Sequence, residues 1–265
     1  MANHTPLANW LYSKRTELNA RFREFNWPEI IFPGVFDFET KISWNGIEAD
    51  GRGVDSRREI ALEKSVAEAL ERLVCRTLEL DSVGFAIAGT HDPSQHAKFE
   101  RLERFYLEEH LKNVNPFSKL NFEYPEYAKL KEFSPSAEIE FYRMATEADL
   151  YGVVCRIGSE TPGKTSLGFA LSDSIEQSIR RAFFEALPSY AWMISDEELE
   201  LHELPWHLEP GFLEKMSTLF SDSRKKELAP LQSPHLSLIE LDLSSLPILS
   251  DAPIKMARYV ITRPS

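Results

Sequence analysis

Only two of the 265 residues are cysteines, Cys75 and Cys155, far apart in the chain. That excludes a disulfide framework and a Cys-x-x-Cys zinc knuckle, and it suits a reducing cytoplasm. Positive charge is short as well: 30 Lys and Arg stand against 42 Asp and Glu, a formal net charge of −12. A broad nucleic-acid surface, which clustered cations drive, is therefore not expected. Long apolar runs are missing. No stretch approaches the roughly 20 apolar residues that a membrane helix needs. The opening Met-Ala-Asn-His-Thr-Pro has no basic start and no apolar core, so no signal peptide is read.

What is present is ordinary for a soluble globular chain, with 43% hydrophobic and 27% charged residues. At 265 residues it suits one large domain or two small ones and can bury a sizeable core. The pattern divides into an N-terminal helix-and-hairpin region, residues 1–48, and a larger core, residues 49–265.

Two acidic motifs organise that core. Glu68-Ala-Leu-Glu71-Arg72 and Glu100-Arg-Leu-Glu103-Arg104 each set two carboxylates three residues apart, with an arginine after the second. Residues three apart share a helix face, so each motif projects a carboxylate pair in one direction. Two such pairs facing one cavity make an oxygen-rich site suited to a hard cation such as Mg²⁺. A single copy would read as a solvated face with local ion pairs; two copies argue for more.

In chain order, Leu7, Trp10, Leu11, Leu18, Phe22 and Phe25 predict an amphipathic helix over residues 7–26 that Pro28 ends. Ile30 to Phe32 and Val35 to Phe38 read as short strands about Pro33-Gly34, and Lys41 to Trp44 as a further strand running into an Asn45-Gly46 turn. A helix is expected from about Ser56 to Leu80, then a strand over 82–89 and a second helix capped by Asp92-Pro93. Residues 114–136 lack periodicity and read as a long connection. Strands follow near 138–143 and 150–156, then a strand from Gly168 and a helix from Ser174 to about Leu187, with Pro188 beyond it. A helix through Phe212 to Phe220, a Pro230–Pro234 linker and strands over 235–243 and 254–261 complete the chain.

The Gly-led segments recur. Gly53 precedes Glu68 by 15 residues, Gly84 precedes Glu100 by 16 and Gly168 precedes Glu185 by 17, which reads as a divergent strand–helix repeat. The fold class expected is α+β, with repeated strand–helix units and helices packed on mostly antiparallel sheets.

These motifs, Gly51-Arg52-Gly53 with Ser65 to Arg72, Ser82 to Gly89 with Glu100 to Arg104, and Gly168 to Glu185 with Arg181, resemble in order the core of the YcaO superfamily. The resemblance covers roughly residues 50–190. It implies ATP- and Mg²⁺-dependent activation of a peptide backbone amide, as azoline-forming cyclodehydration or thioamidation in ribosomal peptide modification. It implies that Glu68, Glu71, Glu100 and Glu103 hold Mg²⁺, and that Ser65, Arg104, Arg181 and Glu185 contact the nucleotide. The implied partners are a precursor peptide and a companion protein of a modifying complex, with a second copy of the chain as a further candidate. Which residues carry catalysis is not read from the sequence.

Two alternatives stay open. Family members separate the two acidic helices by a long segment, whereas here Arg72 and Ser82 nearly touch, which suits a non-catalytic scaffold or docking subunit. Gly158-Ser-Glu-Thr-Pro-Gly163-Lys164-Thr165 matches the P-loop pattern of an NTPase. The residues after it read as a strand, so a hairpin turn is the preferred reading. His91, His96 and His110 lack the spacing of a metal pair and read as mostly exposed.

Overall fold

The computed structural model describes residues 5–26, 34–89, 91–113, 115–121, 127–158, 165–194, 210–221 and 230–262. The chain divides into two compact units: Met1–Glu29, Gly34–Arg101 and His235–Ser265 form the first, and Ile30–Pro33 with Leu102–Pro234 the second. Among the described residues no helix is long and apolar enough to cross a membrane.

In the first unit, Thr5 caps α1 (Pro6–Ser13), its hydroxyl accepting the Ala8 N–H. The single helix expected over residues 7–26 stops there. Asn19 adopts a φ of 43° and the chain turns into a strand, β1 (Arg21–Phe25). The spacing of Leu18, Phe22 and Phe25 fits a helix, but β2 (Phe36–Trp44) offers a partner along the whole segment, from Arg21↔Lys41 to Phe25↔Asp37. Backbone pairing overrides the local period.

The two segments Val35–Phe38 and Lys41–Trp44 therefore belong to one continuous strand, while Ile30 to Phe32 lie outside the described residues. β2 turns into β3 (Ile47–Asp55) through Asn45 and Gly46 with φ 50° and 81°, the two positive values that an Asn-Gly type I′ turn uses. On this hairpin lies α2 (Arg58–Thr77), which buries Ala61, Leu62, Val66, Ala69, Leu70 and Leu73. Its backbone comes close because β3 presents glycine: a Cβ on Gly51 would stand 2.2 Å from Ser65 O, and one on Gly53 2.0 Å from Ala61 O. A second sheet in the same unit has the order β4 (Phe85–Ala88), β10 (Lys255–Ile261), β9 (Leu236–Ile239). Asp92 Oδ1 accepts the Ser94 N–H where α3 (Ser94–Asn113) begins.

The second unit holds a sheet in chain order: β5 (Ser118–Leu120), β6 (Glu138–Met144), β7 (Tyr151–Gly158) and β8 (Thr165–Ser172). β5 and a short helix, α4 (Tyr127–Phe133), lie within the stretch read from sequence as a plain connection. β8 is buried on both faces from Ser166 to Ser172, the two serines included. Leu167 and Phe169 join a core with Val154, and with Met216 and Leu219 of α6 (Pro210–Ser221). Gly168 meets the backbone of α5 (Ile175–Ile194), where its Cβ would stand 2.1 Å from Ala182 O. Pro188 does not end α5, which runs on to Ile194. Burial of Leu187, Tyr190 and Ala191 around it offsets the hydrogen bond that a proline cannot donate.

Every described strand pairing is antiparallel, in agreement with the expected α+β class of helices on antiparallel sheets.

Candidate functional site

The sequence-predicted glutamates take up a repeated geometry. In the first unit the Arg52 N–H donates to Glu68 Oε2 at 2.7 Å. In the second, the Phe169 N–H donates to Glu185 Oε2 at 2.9 Å. Both bonds join residues 16 apart. Each donor follows the glycine that lets the helix approach, Gly51 or Gly168. The true counterpart of Gly168 is thus Gly51 and not Gly53, and with it the glycine-to-glutamate spacing becomes the same in both units.

Around Glu68 the first unit builds an ionic chain. Arg72 Nη2 donates to Glu68 Oε1 at 2.6 Å, and Arg72 Nη1 to Asp50 Oδ2 at 2.7 Å. Glu71, one turn along α2, accepts the Ile87 N–H of β4 at 2.7 Å. Burial pushes the Glu71 pKa well above the ordinary carboxylate value, and the charges of Glu100 and Glu68 push the same way. The neighbouring Cys75 thiol is raised to about 12, chiefly by burial and next by Glu71. It is no nucleophile in this state.

One ion pair at this site was not singled out from sequence. Asp37 is fully buried and held by Arg52, whose Nε donates to Oδ1 at 3.0 Å and Nη2 to Oδ2 at 2.7 Å. Burial raises the Asp37 pKa, and Arg52 works against the rise. Arg52 therefore fixes Glu68 through its backbone and Asp37 through its side chain, and its guanidinium lies over the Phe25 ring at 5.1 Å. The available signal was an acid alternating with Phe36 and Phe38, which strand parity puts on the face away from α2.

In the second unit Glu185 is the perturbed group. Burial and the charge of Glu103 raise its pKa to about 8, against Arg104, the Phe169 N–H and Arg181. Glu103 is itself only 5% exposed, 3.9 Å from Arg104 Nη2. Arg181 Nη1 donates to Leu171 O at 3.2 Å, at the end of β8. The structure therefore brings Glu103, Arg104, Arg181 and Glu185 into one electrostatic group. Among the described residues, no three His, Cys, Asp or Glu side chains lie close enough together to hold a metal ion.

Ser65 is placed differently from the expectation of a nucleotide contact. It is fully buried between α2 and β2, its hydroxyl donating to Leu62 O and taking the Thr40 hydroxyl, each at 2.8 Å. With its one proton committed and no exposed surface, it has no free side toward a ligand. His110, one of three histidines read as mostly exposed, is fully buried. Its Nε2 accepts the Ala145 N–H at 2.8 Å, which leaves Nδ1 to donate to Asn115 O, and burial lowers its pKa. It is a neutral structural imidazole.

Of the P-loop match, residues 159–164 lie outside the described residues. Its two ends are informative. Gly158 and Thr165 pair across β7 and β8, and Thr165 opens a strand. A P-loop opens into a helix, so the hairpin reading stands.

A scan against protein-family models finds no match, and a search of curated proteins finds none. Among solved structures the chain is similar to YcaO from Methanopyrus kandleri, solved with AMPPCP and Mg²⁺, with a TM-score of 0.68 and 12% identity, over 96% of this chain and 89% of that one. It is also similar to a heterocyclase in complex with substrate and cofactor, with a TM-score of 0.66 and 10% identity, over 98% of this chain and 52% of that one. Likeness along nearly the whole chain, at an identity this low, speaks to architecture: the chain has a YcaO-like fold.

Proposed function

We propose that the chain is an ATP- and Mg²⁺-dependent enzyme that activates a backbone amide of a peptide, for azoline formation or thioamidation of a ribosomal precursor. The observation that carries this reading is the pair of carboxylates, Glu71 and Glu185, that burial and neighbouring acids both destabilise in the ionised form. Such groups invite a cation, and their hard oxygen donors fit Mg²⁺. The likeness to a YcaO solved with AMPPCP and Mg²⁺ supports the same reading.

When bound, ATP with Mg²⁺ supplies the phosphoryl group that turns an amide oxygen into a leaving group. The residues of this chain bind and orient. In the first unit, where Glu68 keeps its ion pair with Arg72, Glu71 and Glu100, whose charges act on each other, would offer oxygens to a cation. In the second, Glu103 and Glu185 do so, while Arg104 and Arg181 meet phosphate charge. The strand N–H groups of Arg52, Ile87 and Phe169 hold three of these carboxylates in place. The precursor peptide is the substrate, and a companion protein of the modifying complex delivers it.

Calorimetry of ATP binding with Mg²⁺ and with EDTA tests the proposal. ATP should bind only when Mg²⁺ is present. Equal binding in EDTA would overturn the carboxylate site. No ATP binding under either condition would favour a docking subunit, a reading that draws on the short link from Thr77, the end of α2, to Phe85, the start of β4.

A further inference from the structure

β9 is the outer strand of the sheet β4–β10–β9. Among the described residues no strand pairs with its other edge, and that edge has a definite phase. The Thr262 N–H donates to His235 O at 2.9 Å, and the register continues with Val260↔Ser237 and Arg258↔Ile239. Hydrogen-bonded pairs alternate along an antiparallel ladder, so residues 235, 237 and 239 turn their backbone groups toward β10. Leu236, Leu238 and Glu240 turn theirs outward. On the same strand Leu238 is 56% exposed and Ile239 38%; Tyr12 is the other exposed large apolar residue among those described. Successive strand residues face opposite ways, so both faces of this edge are apolar. Leu236 to Ile239 contain no lysine or proline, the residues that usually blunt an edge strand.

We propose that the outer edge of β9 docks an extended peptide, which adds as an antiparallel strand with its N-terminal end beside Glu240 and Asp242. Both acids are exposed, and the hydrogen bonds that Asp242 accepts from Ser244 lower its pKa, so a basic N-terminal end suits them. A second copy of the chain fits less well. Two four-residue edges would bury on the order of a few hundred Å², short of the roughly 1,000 Å² of a stable interface. Self-pairing about Leu238 would also set Leu236 against Glu240, between two copies that each carry −12. That the docked peptide is the substrate rests on the proposed function; strand addition itself needs neither ATP nor Mg²⁺.

The probe is a fluorescein-labelled Lys-Lys-Thr-Val-Thr-Val-Thr peptide, followed by anisotropy without nucleotide and by hydrogen exchange. It should bind saturably and slow exchange at Leu236, Leu238 and Glu240. The same peptide with glutamates for its lysines should bind at least about tenfold more weakly. Leu238→Pro removes an outward N–H and spares the ladder to β10, so it should also cost at least about tenfold with circular dichroism unchanged. If that variant does not fold, Leu238→Lys, which sets a charge on the same edge, takes its place with the same expected loss. No saturable binding, protection elsewhere, or a sedimentation dimer that Leu238→Pro dissolves would overturn the proposal. ATP·Mg²⁺ affinity measured on the same samples separates the two readings. Failed docking with ATP bound sinks this inference alone, and docking without ATP binding sinks the enzyme reading alone.

Discussion

Glu68 and Glu185 occupy equivalent places in two different strand–helix units. Each accepts a strand N–H from 16 residues upstream, Arg52 in one case and Phe169 in the other. Each stands on a helix whose backbone presses on the glycine before that donor, with Ser65 O and Ala69 N against Gly51, and Ala182 O and Ala186 N against Gly168. The contacts match atom for atom: in both, the carbonyl three residues before the glutamate and the amide one residue after it. A carboxylate held by a backbone amide cannot swing to solvent without losing a charge-assisted hydrogen bond.

Gly51→Ala and Gly168→Ala should therefore be alike in effect. A Cβ at either site would lie 2.2 Å or 2.1 Å from backbone, which cannot yield as a flexible side chain does. Each substitution should cost about 2–4 kcal/mol of stability in urea unfolding. Gly46→Ala, at a turn position with open space around it, should cost less, through its positive φ alone. A cost below about 1 kcal/mol at Gly51 or Gly168 would mean that strand and helix are not in this close contact.

The architecture was legible because it rests on periodicity and punctuation. The 3.6-residue pattern of Ala61 to Val74 and the Asn45-Gly46 turn are local signals, and α2 and that turn formed where they were expected, although the full lengths of β2 and β3 were not read. What the sequence hid were outcomes of competition. Phe22 and Phe25 were claimed by an adjacent strand, and Pro188 was tolerated because its neighbours are buried. The acidic positions were visible, but their partners were not. Nothing local in Asp37 predicts Arg52 beside it, because that contact depends on the register of β2 against β3. Ser65 misled for a related reason. Its place next to the acidic motif is real, yet helix phase turns it into the core.

Asp37→Asn tests the ion pair behind Glu68. The substitution keeps the shape but leaves the Arg52 guanidinium, 33% exposed, without its counter-charge. A broken buried pair typically costs 3–5 kcal/mol, and partial exposure of the arginine reduces this to about 2 kcal/mol. Replacing both residues, Asp37→Leu with Arg52→Met, should recover more than half of the loss in the same denaturation assay. A double variant as unstable as the single one would show that the aspartate does more than neutralise Arg52.

Lys164→Ala should leave ATP·Mg²⁺ affinity within about twofold of the parent. The reason is the pairing of Gly158 with Thr165, which puts a strand where a P-loop needs a helix. Loss of binding in this variant, with unchanged circular dichroism, would move the nucleotide site to residues 158–165.

Arg181 lies one helical turn before Glu185 and shares its face. If that face meets phosphate, Arg181→Ala removes a charge-assisted contact worth roughly 1.5–3 kcal/mol and weakens ATP binding by about ten- to a hundredfold. A bond to Leu171 O alone would predict a small stability loss and no change in affinity. Titration of the purified variant distinguishes the two.

The pH dependence of stability follows from Glu185. Its folded pKa is raised from the ordinary 4.5 to about 8, first by burial and then by Glu103. Between those values the folded chain keeps a proton that the unfolded chain has lost. Linkage then makes stability fall as pH rises across that window, with the contribution of this group fully present only below about 4.5. Glu185→Gln removes the titration and still offers an oxygen to the Phe169 N–H. The parent and the variant should melt alike near the acid end, and the variant should melt several degrees higher above about pH 8, on the order of 2–4 °C for each kcal/mol. Mg²⁺ should narrow that gap at alkaline pH, because a cation beside Glu185 and Glu103 favours the ionised form. A parent whose stability is flat from pH 5 to 8 would mean that Arg104 and Arg181 already neutralise the carboxylate, and the case for a cation at this site would fail.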